Sequence, residues 1–189
     1  MNLIKIQKIK NHKDIKNKLL SLISETPKKR WTNNESKSDL GFDVSLTDWQ
    51  VDGEFNYRKF YLENVNEYFE KYDFINSSKS LIHNVWFHQY YKNDYHNWHI
   101  HAGCQFASVY YLELPNKKYS TEFYDYKYKE IKKFDVEEGD LIIFPSYTPH
   151  RAIKVLEDGR KTIISANYSF ELLDKNFYEK EIKWVKWKW

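Results

Sequence analysis

The strongest constraint on this chain is a change of period near Ser80. From there to Phe170 the helical spacing of apolar residues gives way to short β-favouring runs, at residues 82–90, 98–100 continuing through 106–114, 121–126, 131–136, 141–144, 152–156 and 161–170. Turn signals separate them at Asn93-Asp94, Pro115-Asn116, Glu138-Gly139-Asp140, Pro145-Ser146 and Glu157-Asp158-Gly159. Strands this short at regular spacing predict a sandwich or barrel-like jelly roll. Upstream, Ile15, Leu19, Leu20, Leu22 and Ile23 recur at helical spacing and stop before Pro27. A second helical stripe, Phe60, Leu62, Val65, Tyr68 and Phe69, runs from about Lys59 to Tyr72. Residues 31–55 read as an irregular polar segment that either packs Trp49 onto the sheet or borders a substrate entrance. The expected fold is therefore mainly β with N-terminal helices, one domain in which residues 1–80 support a core of residues 81–189.

Within that β region His99-Ile100-His101 is the most informative chemistry. Side chains alternate on a strand, so histidines at i and i+2 leave from the same face. His150 follows the apolar run Leu141-Ile142-Ile143-Phe144 and would complete a three-imidazole face that leaves other metal positions open, the pattern of catalysis rather than of structural metal binding. His88 shares strand parity with Trp86 and Tyr90 and points either into the barrel mouth or into the core. His96 sits in a loop and is expected at the surface. Tyr110 and Tyr111 occupy opposite faces, so one of them is inward.

Residues 86–172 resemble the double-stranded β-helix core of the non-haem Fe(II), 2-oxoglutarate-dependent dioxygenases, and within them a small phage and marine-bacterial branch. The resemblance rests on an ordered set: His99-Ile100-His101-Ala102-Gly103, Ser108-Val109-Tyr110-Tyr111-Leu112, Glu138-Gly139-Asp140-Leu141-Ile142-Ile143-Phe144-Pro145-Ser146, His150 and Arg160. It implies a jelly-roll (cupin-like) double-stranded β-helix, Fe(II) and 2-oxoglutarate as cofactors, and O2 consumption with release of succinate and CO2 as a substrate is hydroxylated. Carried over position by position, His99 and His150 are the first and distal metal ligands. Arg160, ten places beyond His150, binds the far carboxylate of 2-oxoglutarate, with Thr162 beside it and Tyr110 contributing a hydroxyl. Arginine is scarce here, four among thirty basic residues, and its planar fork suits a carboxylate.

One position departs from the family. Two residues after the first histidine most members carry Asp or Glu, and here stands His101. An all-histidine face of His99, His101 and His150, a carboxylate from elsewhere such as Asp125 or Glu122, and a solvent-filled position as in the halogenase branch all remain open. A three-histidine cupin enzyme without 2-oxoglutarate and a non-catalytic phage jelly-roll module are the alternatives in function.

Composition narrows the partners. A net charge of +3 from interspersed lysines and acids describes a mixed surface rather than a nucleic-acid footprint. The single Cys104 excludes an internal disulfide and suits a reducing compartment. No apolar stretch approaches the roughly 18 residues a spanning helix needs, so a cytoplasmic protein without membrane contact is expected. Gly-rich phosphate loops, Cys clusters and Gly-x-Ser-x-Gly are missing from the sequence. The Trp/Lys tail, residues 177–189, reads as a terminal strand or cap, or else as a nucleic-acid or membrane contact. The substrate is open among a peptidyl side chain, a nucleobase and a small metabolite.

Overall fold

The computed structural model describes residues 3–33, 41–70 and 79–171. The expectation for the tail, residues 177–189, lies outside them. Eleven antiparallel strands form one curled sheet whose order is β1-β9-β6-β11-β4-β3-β5-β10-β7-β8, with β2 paired to β3. The strands are β1 (Lys5–Lys8), β2 (Lys29–Thr32), β3 (Phe42–Thr47), β4 (Lys79–Tyr90), β5 (Tyr95–His99), β6 (Phe106–Glu113), β7 (Glu122–Asp125), β8 (Glu130–Lys133), β9 (Asp140–Pro145), β10 (His150–Ala152) and β11 (Lys161–Glu171). The curl folds the β3-β5-β10-β7-β8 half over the β9-β6-β11-β4 half, which is the jelly-roll arrangement.

Two helices, α1 (His12–Glu25) and α2 (Asn56–Glu70), cover the outer face of the larger half. Helix α1 buries Ile15, Leu19, Leu22 and Ile23, the apolar stripe of its sequence, and ends where Thr26 turns to extended backbone before Pro27. Helix α2 buries Tyr57, Tyr61, Val65, Tyr68 and Phe69. Strands β6 and β11 are therefore covered on both faces; β6 reads as a nearly unbroken apolar run, whereas β11 buries Lys161, Thr162, Ser165 and Asn167 among its apolar residues. On β6, Phe106, Tyr110 and Leu112 meet the helices, while Ala107, Val109 and Tyr111 meet the opposing half of the sheet. A single contact fixes how closely α1 approaches: Gly139 has φ +90°, and a Cβ there would lie 2.8 Å from the His12 ring.

The segment expected to be irregular, residues 31–55, instead holds β3 and the end of β2, and the described residues before Lys79 supply three strands of the sheet. Strand β1 adds to the sheet edge beside β9, with Lys5 opposite Ile143. β3 bridges the halves, pairing with both β4 and β5. β1 and β2 are short and mostly polar, so their identity comes from their partners more than from their own periodicity, whereas β3 alternates Phe42, Val44 and Leu46 with polar residues.

Candidate metal centre and cavity

The hairpin geometry of the smaller half builds the histidine cluster. Strands β5 and β10 pair with His150 directly opposite His99, and His101 follows on the turn leaving β5, where its N–H bonds Ser146 O at 2.9 Å. One ring nitrogen from each of His99, His101 and His150 lies within 4.8 Å of the others. Each Nδ1 already has an acceptor: Asn97 O for His99 at 2.7 Å, Asn167 Oδ1 for His101 at 2.6 Å, and Thr148 O for His150 at 2.9 Å. Those bonds put the proton on Nδ1 in all three rings and leave every Nε2 as a bare lone pair. The rings stay neutral because burial disfavours the imidazolium; His99 is held down to about 4, and His101 and His150 are also lowered.

The result is a cluster with a defect that a cation repairs. His101 Nε2 and His150 Nε2 stand 3.2 Å apart with no proton to share between them. Two imidazole nitrogens bound to one ion at about 2.0–2.1 Å are separated by roughly 2.9–3.4 Å for bond angles of 90–109°. That spacing fits a divalent metal, and the bonds to backbone and Asn167 are of the kind that orient ligating histidines. Neither Asp125 nor Glu122 offers a carboxylate here. Asp125 accepts from the Lys127 N–H at 3.0 Å and faces Lys132 at 3.1 Å, while Glu122 receives Arg151 Nε at 2.8 Å.

The cluster opens onto a cavity of about 410 Å³. Its walls include Trp86, His88 and Tyr90 of β4, Val109 of β6, Ile163, Ser165 and Asn167 of β11, and Trp31, Trp49 and His96 from the N-terminal and β5 side. His96 is not a surface residue: it stacks on His99 with centroids 3.7 Å apart. His88 accepts from Trp86 Nε1 at 3.0 Å, and its buried Nδ1 has no hydrogen-bond partner.

Three residues carried over from the family motif lie elsewhere. Arg160 precedes β11 and turns outward, where Nε and Nη2 form a fork on Glu113 at 2.7 and 2.8 Å. Thr162 also donates to Glu113. Tyr110 faces the helices and its hydroxyl meets His12 Nδ1 at 2.6 Å, so Tyr111 is the inward member of the pair, bonded to Thr121 of the cavity wall at 2.9 Å. The reason is the phase of the strands: Thr162 lies opposite Gln89, and the row of β11 that lines the cavity is the alternate set 163, 165 and 167, whose parity Lys161 shares beside Tyr90.

That row brings in a cation that the sequence reading did not single out. Lys161 is 1% exposed, lies opposite Tyr90, donates to Tyr119 O at 2.7 Å and holds its ammonium 4.9 Å from the Tyr90 ring. Among the described residues no carboxylate pairs with it. Burial, with a smaller push from Lys133, lowers its pKa to about 7. The available signal was parity, since Asn167 is an odd seven residues from Arg160 and an even six from Lys161. Also unforeseen was Asp48, fully buried, which accepts from Phe87 N at 2.9 Å, Tyr57 Oη at 2.5 Å and Arg58 Nη2 at 2.6 Å, and so fixes the turn that carries Trp49 into the cavity wall.

No family model and no curated protein matches the chain in sequence. Solved structures do match its fold. A 2OG-Fe(II) oxygenase family oxidoreductase from Burkholderia pseudomallei aligns over 88% of this chain and 85% of its own with TM-score 0.68 and 12% identity. A prolyl hydroxylase from Trichoplax adhaerens, in complex with a hypoxia inducible factor peptide fragment, aligns over 99% and 89% with TM-score 0.62 and 15% identity. The viral collagen prolyl hydroxylase of Paramecium Bursaria Chlorella virus-1, in a 2OG complex, aligns over 88% and 95% with TM-score 0.56 and 15% identity. This chain shares the jelly-roll fold of the 2OG-Fe(II) oxygenases.

Proposed function

We propose that the protein is a 2-oxoglutarate-dependent Fe(II) oxygenase in which His99, His101 and His150 hold the metal. The observation that carries this reading is the pair of unprotonated Nε2 atoms of His101 and His150, 3.2 Å apart and each locked by its Nδ1 bond. Three facial ligands with the other positions open are the mark of O2-activating non-haem iron. An all-nitrogen face is neutral and leaves the ion its full charge for an anionic cosubstrate.

Lys161 takes the role that the motif gave to Arg160. A buried ammonium with only a carbonyl partner is costly, and a bound carboxylate would offset that cost. Arg160 has no such vacancy, because Glu113 already occupies its fork. On β4, His88 and Tyr90 lie between Trp86, 5.7 Å from the His101 ring, and Lys161, which stands opposite Tyr90, and would flank a five-carbon diacid.

Bound iron would supply O2 activation coupled to oxidative decarboxylation of 2-oxoglutarate, giving succinate, CO2 and one hydroxylated C–H bond. The chain's own residues orient and exclude. Asn97, Thr148 and Asn167 fix the ligand rings, Lys161 fixes the far carboxylate, and the aromatic walls keep water from the reacting carbon. His101 in place of a carboxylate also favours a second reading, a three-histidine oxygenase that needs no 2-oxoglutarate. Calorimetric titration of the Fe(II) protein with 2-oxoglutarate under anaerobic conditions separates the two. Saturable binding that Lys161→Met weakens at least 30-fold supports the first; no binding supports the second.

A further inference from the structure

One end of the cavity is walled by indoles. Trp31 arrives on β2, Trp49 on the turn after β3 and Trp86 on β4. Their rings form a continuous curved surface: Trp31 to Trp49 is 6.2 Å at 49°, Trp49 to Trp86 is 4.6 Å at 60°, and Trp86 to His101 is 5.7 Å at 32°. The wall thus reaches a ring of the metal cluster. Trp31 and Trp49 remain only half-buried although they line the cavity. Ile100, 58% exposed, adds an apolar edge at the mouth.

Charge separates the classes of ligand such a wall could take. No Asp or Glu lines the cavity among the described residues, and the one arginine there, Arg151, is bound to Glu122 at 2.7 Å. A divalent ion held by the histidines would contribute positive charge. Indole faces attract cations, but here the rest of the site repels them, and no acid compensates. Flat, uncharged rings stack on indoles with no such penalty.

We infer that the indole-walled end of the cavity binds a planar, uncharged aromatic ring and directs a carbon of that ligand toward the His99, His101 and His150 face. The inference rests on the oxygenase reading only for what happens to that carbon. Ring recognition itself depends on Trp31, Trp49 and Trp86. A saturated ring such as proline, equal in bulk but without a π-face, is the contrasting occupant.

The test is ligand-observed NMR affinity on the full chain, both metal-free and loaded anaerobically with Fe(II) and 2-oxoglutarate. The probes are 2-naphthalenemethanol, its decahydro analogue, N-acetylprolinamide, N-acetyltryptophanamide and benzyltrimethylammonium. The inference expects naphthalenemethanol to bind roughly 5- to 10-fold more tightly than the decahydro alcohol and prolinamide in both states, and more tightly than the ammonium. Trp49→Leu should erase that preference and Trp49→Phe restore most of it, with thermal unfolding midpoints recorded for each. Tighter binding of the tryptophan amide than of naphthalenemethanol assigns the ring to a peptide side chain; the reverse assigns it to a free small molecule. Equal affinity for the saturated probes, preference for the ammonium, or indifference to Trp49→Leu overturns the inference. Because the metal-free arm does not involve iron, failure of the oxygenase reading leaves this result standing.

Discussion

The two faces of the larger half-sheet are made by the same strands and do opposite things. On the outer face, Phe106, Tyr110, Leu112, Ile164, Ala166 and Tyr168 close against α1 and α2 in a dry core. On the inner face the alternate residues of the same strands include Lys161, Ser165 and Asn167, and those of β4 include His88. On the outer face the Tyr110 hydroxyl is paired with His12. The inner face keeps a buried ammonium without a carboxylate and bare Nε2 atoms in close approach. Polar groups left this way cost stability, so their gathering around the histidine cluster marks where a ligand is expected.

The largest effect should come from the metal cluster. His150→Ala is expected to lower Fe(II) affinity at least 100-fold, measured by anaerobic equilibrium dialysis, since it deletes a ligand and half of the Nε2 pair. Next is the contrast between neighbours. Lys161→Met should weaken 2-oxoglutarate binding about 30- to 5,000-fold, the range for truncating one partner of a buried charge pair. It should also stabilise the ligand-free fold by about 1–3 kcal/mol in urea denaturation, because a buried uncompensated cation disappears. Arg160→Met should change 2-oxoglutarate affinity less than threefold and cost about 1 kcal/mol or less, as befits a half-exposed ion pair. If the two variants exchange these phenotypes, the inward and outward assignments are reversed.

Acidity should distinguish the faces as well. The inner histidines are neutral when folded, with His99 at about 4 and His88 at about 3, against an ordinary 6.5. Between pH 6.5 and about 4 the unfolded chain binds more protons than the folded one, so stability of the metal-free protein falls as pH drops through that window. Lys161 acts between pH 7 and about 10.5, where again the unfolded chain holds the extra proton, so its contribution improves as pH rises. In the same range 2-oxoglutarate binding should weaken, because the free ammonium loses its proton above about pH 7. Chemical denaturation across pH 4–10, with Lys161→Met as the control for the upper limb, checks both. The smallest effect belongs to the outer face: Tyr110→Phe should cost about 0.5–1.5 kcal/mol through its bond to His12 and leave the 2-oxoglutarate constant unchanged.

Much of this architecture was legible because it is local. Helix α1 stands where its apolar stripe and Pro27 put it, and the long strands β4, β6, β9 and β11 follow their apolar runs. The gathering of His99, His101 and His150 was among the readings their spacing offered, although His101 stands on the turn past the end of β5 rather than on the strand. Phase was not legible. Whether 160 or 161, or 110 or 111, faces inward depends on pairing registers such as Lys161 with Tyr90, and on the bulge between Thr162 and Ile163 against β6. A one-residue difference in phase there separates Arg160, paired with Glu113, from Lys161, the residue proposed for the cosubstrate carboxylate. The edge strands β1 and β2, with sequences KIQK and KRWT, carry no apolar alternation and exist through their partners.

The central claim is that His101 is the third ligand of a neutral, all-nitrogen metal face. Anaerobic Fe(II) titration of the parent chain and of His101→Ala tests it most directly. The account predicts one ion per parent chain and an affinity at least tenfold weaker in the variant, with the fold intact by circular dichroism. Undiminished Fe(II) affinity in a folded His101→Ala protein would contradict it.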